Sequence, residues 1–475
     1  MSTEARTYDE LPYDDAAYFH THPSNLAVVA TFCGMEPAPV ETCRVLELGC
    51  AGGFNLLAMS HSLPAARFVG VDYSPRQIER GREMIAALGC TNVELHTGDV
   101  AALDPALGEF DYIIAHGVYS WMPPTASDAL LAACRRHLVP NGIAYISYNT
   151  FPGWHSRLPL RDLLRFHADP ALPPLERTRQ ARAALERIIA CMPDAESPAA
   201  RSLRAEAEAI RNDPHAYVFH EYLEADNRPL LFEEFARRAA SHGLQFLAEA
   251  RFSTNSFVQR EPIRSALAAA GEDLLRREQQ HDFLRNRQFR QSLLCRAEVR
   301  PTWLPTVAGV GRLFVRAKVS VLSEGEFHIE EAGTLTTSDP VLRAILAALG
   351  AAWPRMTRVR DLAAKVELPE VVIVDGYIEG LWHLFAFDPP FAVDVEDRPQ
   401  ACPLARFEAE RGGSVTNRLH RPVTLTPRER DVLLRLDGRT AAVAYASGSD
   451  ELDHILARFA EQALLAPRSH YPPPV

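Results

Sequence analysis

A glycine-rich turn lies early in the chain, in the segment VLELGCAGGFN. An apolar run typical of a strand leads into Gly49, Gly52 and Gly53, and a helical pattern follows them. Glycine lets a backbone turn tightly and approach a ligand closely. The spacing is not GxGxxG, which disfavours a dinucleotide pyrophosphate loop. Glu47 precedes the glycines and would repel an anion, so the turn favours a cationic ligand.

Two carboxylates follow the turn at the ends of later apolar runs. Asp72 ends the second run, where a carboxylate can accept both hydroxyl groups of a ribose. Asp99 follows the third run, in HTGDV, where it could receive the exocyclic amine of an adenine. A glycine turn and two such carboxylates, without a phosphate site, together describe S-adenosylmethionine as the ligand.

Strand-like runs alternate with helical stretches over the first 150 residues, and this alternation predicts a parallel sheet with helical crossovers. The helix after the second run has an N-cap signal at Ser74 and a stop signal at Gly89. A helix–strand unit at 228–250, a helical stretch at 271–293 and a last strand at Leu293–Val299 would complete one α/β domain. The first five predicted strands are Arg44–Leu48, Arg67–Val71, Val93–His96, Phe110–Ala115 and Ile143–Tyr148.

The composition of the chain and the positions of its prolines and glycines predict four parts. Residues 1–155 hold the glycine turn and the carboxylates, and residues 156–300 read as a helical insertion that also completes the sheet. Proline and glycine mark a boundary after residue 300. Residues 301–395 predict a middle α+β domain, and residues 396–475 predict a winged-helix-like domain. A charged stretch at 394–415 predicts a linker, and the tail SHYPPPV predicts a frayed end.

The composition argues against several classes of protein. The net charge is −11, and residues 396–475 carry 11 acidic residues and 11 arginines, so no nucleic-acid partner is expected. No apolar run reaches about 18 residues, and the N-terminus is polar and acidic, so neither a membrane helix nor a secretory signal is expected. Eight cysteines without a CxxC pair predict no zinc site and a reducing, cytoplasmic location.

The motifs ELGCAGG, VD after the second strand, GD after the third and FDYIIAHG at the fourth resemble the class I S-adenosylmethionine-dependent methyltransferases. That resemblance implies a Rossmann-like, seven-stranded α/β sheet. The segments YFHTHPSNLA, AHGVYSWMP, AYISYNTFPGWH and HEYLEADNRPLLFEEF resemble bacterial methyltransferases that carry a regulatory domain, among them the rickettsial protein-lysine methyltransferases. The resemblance covers residues 8–300 well and the C-terminal third more loosely. It implies methylation of lysine side chains in a protein substrate.

The resemblance also assigns residues to the cofactor, S-adenosylmethionine. His116 and Gly117 match the place where the fourth strand delivers residues to the methionine part of the cofactor. The fourth motif is AHGVYSW and not Asn/Asp-Pro-Pro-Tyr/Phe, which counts against methylation of adenine N6 or glutamine. The predicted cofactor-binding residues are Glu47, Gly49, Gly52, Gly53, Asn55, Asp72, Tyr73, Asp99, Val100 and His116.

Aromatic and amide side chains after the fourth and fifth strands are candidates for the acceptor side, because ligands bind at this sheet edge. Aromatic faces could surround an ammonium or a sulfonium, and Asn149 could orient an amine. The candidate catalytic residues are Tyr119, Tyr148, Asn149 and Trp154, and Trp121 and Trp154 are equally compatible with packing. His155 is a weaker candidate base, and a group formed by Glu221, Tyr222 and Asn227 could close the site. His20 and His22 resemble a metal pair, but they lack acidic or cysteine partners nearby, so no metal is expected.

Two alternatives to a protein-lysine methyltransferase remain open from the sequence. A small-molecule methyltransferase would need a closed apolar pocket beneath the helical insertion. A non-catalytic protein that senses S-adenosylmethionine would bind the cofactor without turnover, and its later domains would engage a partner. A homodimer through the winged-helix-like domain is compatible with each of the three.

Overall fold

A computed structural model describes residues 3–13, 15–192, 197–366, 370–440 and 449–467. Among these residues, no helix is long and apolar enough to cross a bilayer. The C-terminal tail SHYPPPV, predicted to fray, lies outside the described residues.

A seven-stranded sheet forms the centre of the molecule, in the order β3-β2-β1-β4-β5-β7-β6. The first five strands are parallel, and β7 runs antiparallel to both of its neighbours. The sheet confirms the predicted α/β class. Its strands are β1 (Arg44–Leu48), β2 (Arg67–Asp72), β3 (Val93–Thr97), β4 (Phe110–Ala115), β5 (Leu138–Asn149), β6 (Leu244–Glu249) and β7 (Phe289–Arg296).

Helices in the first part of the chain pack on both faces of this sheet. The helix after β2 begins where Ser74 accepts a hydrogen bond from the backbone N–H of Gln77, and it ends at Gly89 with φ +64°. Both ends agree with the sequence signals, because each depends on local backbone chemistry. The helices are α1 (Thr3–Glu10), α2 (Pro23–Phe32), α3 (Phe54–Ser62), α4 (Pro75–Leu88) and α5 (Pro124–His137).

The insertion between β5 and β7 is mainly helical, as predicted, and it has a small core of its own around Leu160, Leu185 and Phe219. The predicted helix at 271–293 was too long, since it ends at Arg285 and Asn286 takes a left-handed φ of +47°. The last strand therefore begins at Phe289, four residues earlier than predicted. The helices are α6 (Leu158–His167), α7 (Pro174–Cys191), α8 (Pro198–Ala209), α9 (His215–Tyr222), α10 (Phe232–Ser241), α11 (Ile263–Ala268) and α12 (Leu274–Arg285).

A buried ion cluster joins the insertion to the last strand. Arg290 on β7 is fully buried, and its guanidinium contacts Asp282 at 2.8 Å, Glu249 at 2.7 Å and Glu278 at 3.0 Å. Arg287 also pairs with Asp282, at 3.1 Å. The cluster thus links β6, β7 and α12 through charges that water does not reach.

Beyond residue 300 the chain forms short strands and helices in two further packed parts, for which we propose the predicted boundaries near 300 and 395. The middle part contains β8 (Phe314–Arg316), β9 (Val319–Ser323), β10 (Glu326–Ile329), β11 (Gly333–Thr336), α13 (Pro340–Ala352), β12 (Thr357–Arg358), α14 (Val359–Val366), α15 (Glu370–Ile378) and β13 (His383–Phe385). The C-terminal part contains α16 (Pro403–Ala409), β14 (Val415–Thr416), β15 (Pro422–Val423), α17 (Pro427–Arg435) and α18 (Ser449–Glu461).

The predicted linker at 394–415 was wrong. This stretch contains α16, and Ala401 and Cys402 are buried. The backbone N–H groups of these two residues donate to Leu436 and Leu464, at 3.1 and 2.8 Å. Charged residues at both ends of the stretch resemble a linker in composition, but the apolar residues between them complete the core of the C-terminal part.

Candidate active site

The glycine turn at the end of β1 has a geometry that demands glycine at two of its three positions. Gly49 and Gly53 have φ of +72° and +70°. A Cβ on Gly49 would lie 2.3 Å from Cγ1 of Val118, and a Cβ on Gly53 would lie 2.6 Å from Cδ2 of Leu95. At Gly52 the nearest atom would lie 3.4 Å away, which is an ordinary contact. The turn therefore packs too closely for side chains at Gly49 and Gly53.

Asp72 at the end of β2 holds this turn against the start of α4. Its Oδ2 accepts a hydrogen bond from the backbone N–H of Ala51 at 2.8 Å, and its Oδ1 accepts from Ser74 at 2.9 Å. Burial raises the pKa of Asp72. A carboxylate has about four acceptor positions, so two remain available for ribose hydroxyl groups. Tyr73, beside it, is 48% exposed.

Glu47 on β1 is a buried carboxyl group with one oxygen left open. Its Oε1 accepts a hydrogen bond from Nδ2 of Asn55 at 2.9 Å, whereas its Oε2 has no partner among the described residues. Burial raises the pKa of Glu47 to about 8. An unpaired buried carboxyl oxygen is costly, and a cationic ligand group would satisfy it. The predicted cofactor residues Glu47 and Asn55 are thus in direct contact.

Replacing Glu47 with glutamine is expected to stabilise the ligand-free protein at pH 8 while weakening its binding of the cofactor. The folded-state pKa of about 8 lies above the usual value of 4.5, so folding favours the protonated carboxyl. The contribution of Glu47 to the free energy of unfolding is therefore fully present below about pH 4.5 and is lost as the pH rises through 8. Glutamine cannot ionise and removes this loss. Thermal unfolding of Glu47→Gln and wild type at pH 5 and pH 8 tests this prediction. An equal change in unfolding temperature at both pH values would contradict the raised pKa of Glu47.

Asp99 and Val100 follow β3 at the same sheet edge. Asp99 is exposed, and its Oδ1 accepts a hydrogen bond from the backbone N–H of Ala101 at 2.8 Å. Val100 is buried. The arrangement offers one further carboxylate oxygen and an apolar surface beside it, as the adenine assignment requires.

His116 at the end of β4 lies in a polar group that the sequence did not reveal. Its Nδ1 lies 3.0 Å from the hydroxyl of Tyr145 and 3.2 Å from Oγ of Ser147, and its ring centre lies 4.0 Å from that of Tyr18. Burial and the nearby His20 lower the pKa of His116 to about 4. The imidazole is therefore neutral at pH 7. Tyr18, Tyr145 and Ser147 were not among the predicted site residues.

The N-terminal segment lies across these motifs. Asp9 accepts a hydrogen bond from the hydroxyl of Ser74, and the backbone carbonyl of Tyr8 accepts one from Nε2 of Gln77 at 3.2 Å. The ring of Tyr8 stacks on His220 of α9 with centres 4.2 Å apart. The segment therefore connects the cofactor side of the sheet to the helical insertion.

The predicted catalytic tyrosines lie on the opposite face of the sheet. Tyr148 stacks on Phe235 of α10 with ring centres 4.1 Å apart, and its hydroxyl contacts Ser292 at 3.2 Å. Tyr119 packs edge-on against Phe235 at 5.3 Å. Both tyrosines are at most 2% exposed. These contacts support a packing role for Tyr119 and Tyr148, and their catalytic role stays a prediction.

The other candidates on the acceptor side occupy mixed positions. Asn149 ends β5, and its Nδ2 lies 3.4 Å from Oδ1 of Asn227, so these two predicted residues meet. Trp154 is buried beneath the guanidinium of Arg157, 5.0 Å away, and its Nε1 has no partner among the described residues. His155 is exposed and stacks on Phe151. Trp121 is half-buried.

Glu221 and Tyr222 on α9 separate into different environments. Burial raises the pKa of Glu221 to about 7, while Arg157, Arg161 and a hydrogen bond from Tyr13 lower it. Tyr222 is fully buried, and its hydroxyl donates to Glu206 at 2.6 Å. Glu221 thus faces the N-terminal segment, whereas Tyr222 belongs to the core of the insertion.

His22, one of the two closely spaced histidines in the described part of the chain, has both ring nitrogens in contact with protein groups. Nδ1 of His22 accepts a hydrogen bond from the backbone N–H of Ser24 at 3.1 Å, and Nε2 contacts Oγ of Ser62 at 3.2 Å. Burial lowers the pKa of His22 to about 3. Both of its ring nitrogens are therefore engaged within the protein. No group of three or more metal-ligating side chains is found in the same residues.

Three family models match separate parts of the chain. A methyltransferase domain matches residues 45–142, a predicted methyltransferase regulatory domain matches residues 214–296, and a PKMT C-terminal winged helix domain matches residues 397–447. The first match contains the glycine turn, Asp72, Asp99 and His116. The third match covers much of the C-terminal part.

Similar proteins come from Rickettsia. The structure of PKMT2 from Rickettsia typhi has a TM-score of 0.83 and 26% identity, covering 95% of this chain and all of that one, and it was also solved in complex with AdoHcy. An uncharacterized protein of Rickettsia prowazekii is 36% identical over 52% of this chain and 98% of its own length. A second one is 39% identical over 62% of this chain. The alignment spans only 53% of that second relative.

Proposed function

The chain belongs to the class I S-adenosylmethionine-dependent methyltransferases of the rickettsial PKMT type, and on this premise we propose that it transfers methyl groups to lysine side chains of a protein. The structural likeness to PKMT2 extends over almost the whole chain and includes the C-terminal winged helix. That likeness is the observation that carries the proposal.

The chain's own residues fit the cofactor, which supplies an electrophilic methyl group on a sulfonium when bound. We propose that the open Oε2 of Glu47 binds a cationic part of it and that Asp72 accepts the ribose hydroxyl groups. Asp99 would accept the adenine amine, and Val100 would contact the ring. Gly49 and Gly53 allow the turn between these groups, and the neutral His116 borders the methionine end.

A lysine acceptor must lose a proton before it can attack. With a usual pKa near 10.4, deprotonation at pH 7 costs roughly 4–5 kcal/mol. We propose that the lysine approaches along the side of the N-terminal segment, where Tyr13, Tyr18 and Glu221 offer aromatic faces and a carboxyl. A carboxyl with a pKa of about 7 can exchange a proton near neutral pH, so Glu221 is the proposed base. Asn149 and Asn227 would orient the amine.

The exposure of this side favours a protein substrate over a small molecule. Tyr13 and Tyr18 are 36% and 39% exposed, so the approach is an open surface. The space beneath the insertion, where a closed apolar pocket was expected for a small-molecule enzyme, is filled by the packed rings of Tyr148, Tyr119 and Phe235. The eight free cysteines support a proposed location in the reducing cytoplasm. A homodimer stays a prediction.

The proposal predicts transfer of radiolabel from S-adenosylmethionine to discrete protein bands. Purified protein is incubated with the labelled cofactor and a lysate of the cells that encode it, and label is followed in acid-precipitated protein and in the small-molecule fraction. Hydrolysis of the labelled bands should release methyl-lysine. The Asp72→Ala variant should give no bands, and Asp104→Ala, which removes a similar capping carboxylate outside the site, should label normally. Label confined to the small-molecule fraction would overturn the lysine proposal.

A further inference from the structure

The C-terminal part of the chain reaches the proposed cofactor site through one hairpin turn. Strands β14 and β15 pair antiparallel, and residues 417–421 connect them. Within the turn, Oδ1 of Asn417 accepts hydrogen bonds from the backbone N–H groups of Leu419 and Arg421, both at 3.0 Å. His420 takes a left-handed φ of +60°, which is uncommon for a residue other than glycine. The turn is thus held in a conformation that projects His420 away from its own domain.

The imidazole of His420 contacts the side chain of Asn55, at the start of α3. Its Nε2 lies 2.9 Å from Oδ1 of Asn55. The amide of Asn55 in turn donates from Nδ2 to Oε1 of Glu47 at 2.9 Å. Since the amide oxygen accepts, the Nε2 of His420 must be the donor. A continuous buried chain of hydrogen bonds therefore runs from the C-terminal part to the carboxyl that borders the cofactor.

The amide of Asn55 has two further partners on the same side. The backbone N–H of Tyr18 donates to Oδ1 at 3.1 Å, and Nδ2 donates at 3.0 Å to the hydroxyl of Thr21, whose own proton goes to the carbonyl of Tyr18 at 2.7 Å. Together with the hydrogen bond from His420, these contacts orient the amide with its oxygen away from Glu47 and its nitrogen toward it. His420 is the contributor to this group that comes from outside the N-terminal part, about 365 residues further along the chain.

We propose that His420 is a positioning residue for the cofactor site. By donating to Asn55 it fixes the amide so that Nδ2 binds Oε1 of Glu47, and Oε2 stays directed at the ligand. The contact between His420 and Asn55 and binding of the cofactor are therefore coupled, and this coupling acts equally in both directions. The proposal rests on the proposed role of Glu47.

A second contact of the same turn makes it possible to distinguish the positioning role of His420 from docking of the C-terminal part alone. Arg418 donates from Nη2 to the backbone carbonyl of His61, in the last turn of α3, far along the helix from Asn55. Arg418→Ala therefore weakens docking of the turn without removing the contact to Asn55. It is the matched control for His420.

The test compares S-adenosylhomocysteine affinity, measured by calorimetry, with the thermal unfolding of the ligand-free full chain. His420→Asn keeps a residue that tolerates a positive φ but is too short to reach Asn55, and we expect about tenfold weaker binding. His420→Gln restores a donor of similar reach and should recover most of the affinity. Arg418→Ala should lower the unfolding temperature and leave the affinity within about twofold.

The outcomes separate this inference from the function on which it rests. Wild-type affinity in His420→Asn would overturn the inference alone, and so would equal weakening by Arg418→Ala. Failure of the wild-type chain to bind S-adenosylhomocysteine would overturn the proposed function, and the inference with it. In a steady-state assay, His420→Asn should raise the KM for S-adenosylmethionine more than it lowers kcat.

Discussion

Replacing Asp72 with alanine is expected to weaken S-adenosylhomocysteine binding by at least ~100-fold. Hydrogen bonds to a charged group contribute about 1.5–3 kcal/mol each, and two ribose hydroxyl groups are proposed to bind this carboxylate. The same carboxylate ties Ala51 of the glycine turn to Ser74 of α4, so the turn also loses its support. Calorimetric titration with S-adenosylhomocysteine measures the effect.

A matched pair of substitutions shows whether such a loss reflects the ligand or the fold. Asp99 and Asp104 each accept a hydrogen bond from the backbone N–H two residues later, both at 2.8 Å. Asp99→Ala should weaken binding because of the proposed adenine contact, and Asp104→Ala should not. If Asp72→Ala unfolds at the wild-type temperature and still binds normally, the ribose assignment is wrong.

Replacing Arg290 with methionine is expected to destabilise the protein by about 3–5 kcal/mol at pH 7. The substitution leaves Glu249, Glu278 and Asp282 buried without their shared cation, and unpaired buried charges are costly. Arg287 lies at the edge of the cluster, so it replaces only part of the positive charge that the substitution removes. For a domain of this size, the unfolding temperature should fall by roughly 10 °C. Thermal unfolding followed by circular dichroism measures this loss.

The loss should shrink as the pH falls. Burial alone would raise the pKa of Glu249, but Arg290, Arg287 and the hydrogen bonds from Ser292 and Gln291 together lower it. A carboxyl with a lowered folded-state pKa stabilises the protein above its usual pKa, and that stabilisation is lost at lower pH. The difference between Arg290→Met and wild type should therefore be smaller near pH 4.5 than at pH 7. Arg343→Met, which breaks an exposed pair with Glu324, should change stability by less than ~1 kcal/mol. A pH-independent loss would contradict a charged cluster.

Local signals predicted the sheet well where the chain alternates regularly. β1 and β4 have the predicted bounds, and α4 begins and ends at its cap residues, since caps and buried strands depend on neighbouring residues. The region around β7 was harder to predict from the sequence, because the polar run before Phe289 is also compatible with a helix. Its strand character comes from antiparallel pairing with β5 and β6, which no local pattern reports.

In the candidate site, too, some residues could be predicted from the neighbouring sequence, whereas the positions of others depend on the fold. The glycine turn, Glu47 and Asp72 could be found because each lies beside a recognisable strand. Side chains alternate along a strand, so Tyr148 lies on the face opposite to that of Tyr145 and Ser147. Tyr145 and Ser147 point to the side of His116, and Tyr148 points to α10.

His420 carried no signal that the sequence could show. Its role depends on a turn conformation and on a partner about 365 residues earlier in the chain. Only the folded arrangement of the two parts brings them together.

The position of β7 has a consequence for synthesis of the chain. Asn149 on β5 pairs with Phe289 on β7, so one edge of β5 has no partner until about 140 further residues have been made. At about 5–20 residues per second, this takes roughly 7–28 s on the ribosome. An apolar strand with an open edge readily pairs with other chains. The nascent protein therefore passes through an aggregation-sensitive interval, and the edge of β5 is the surface that a chaperone would need to shield.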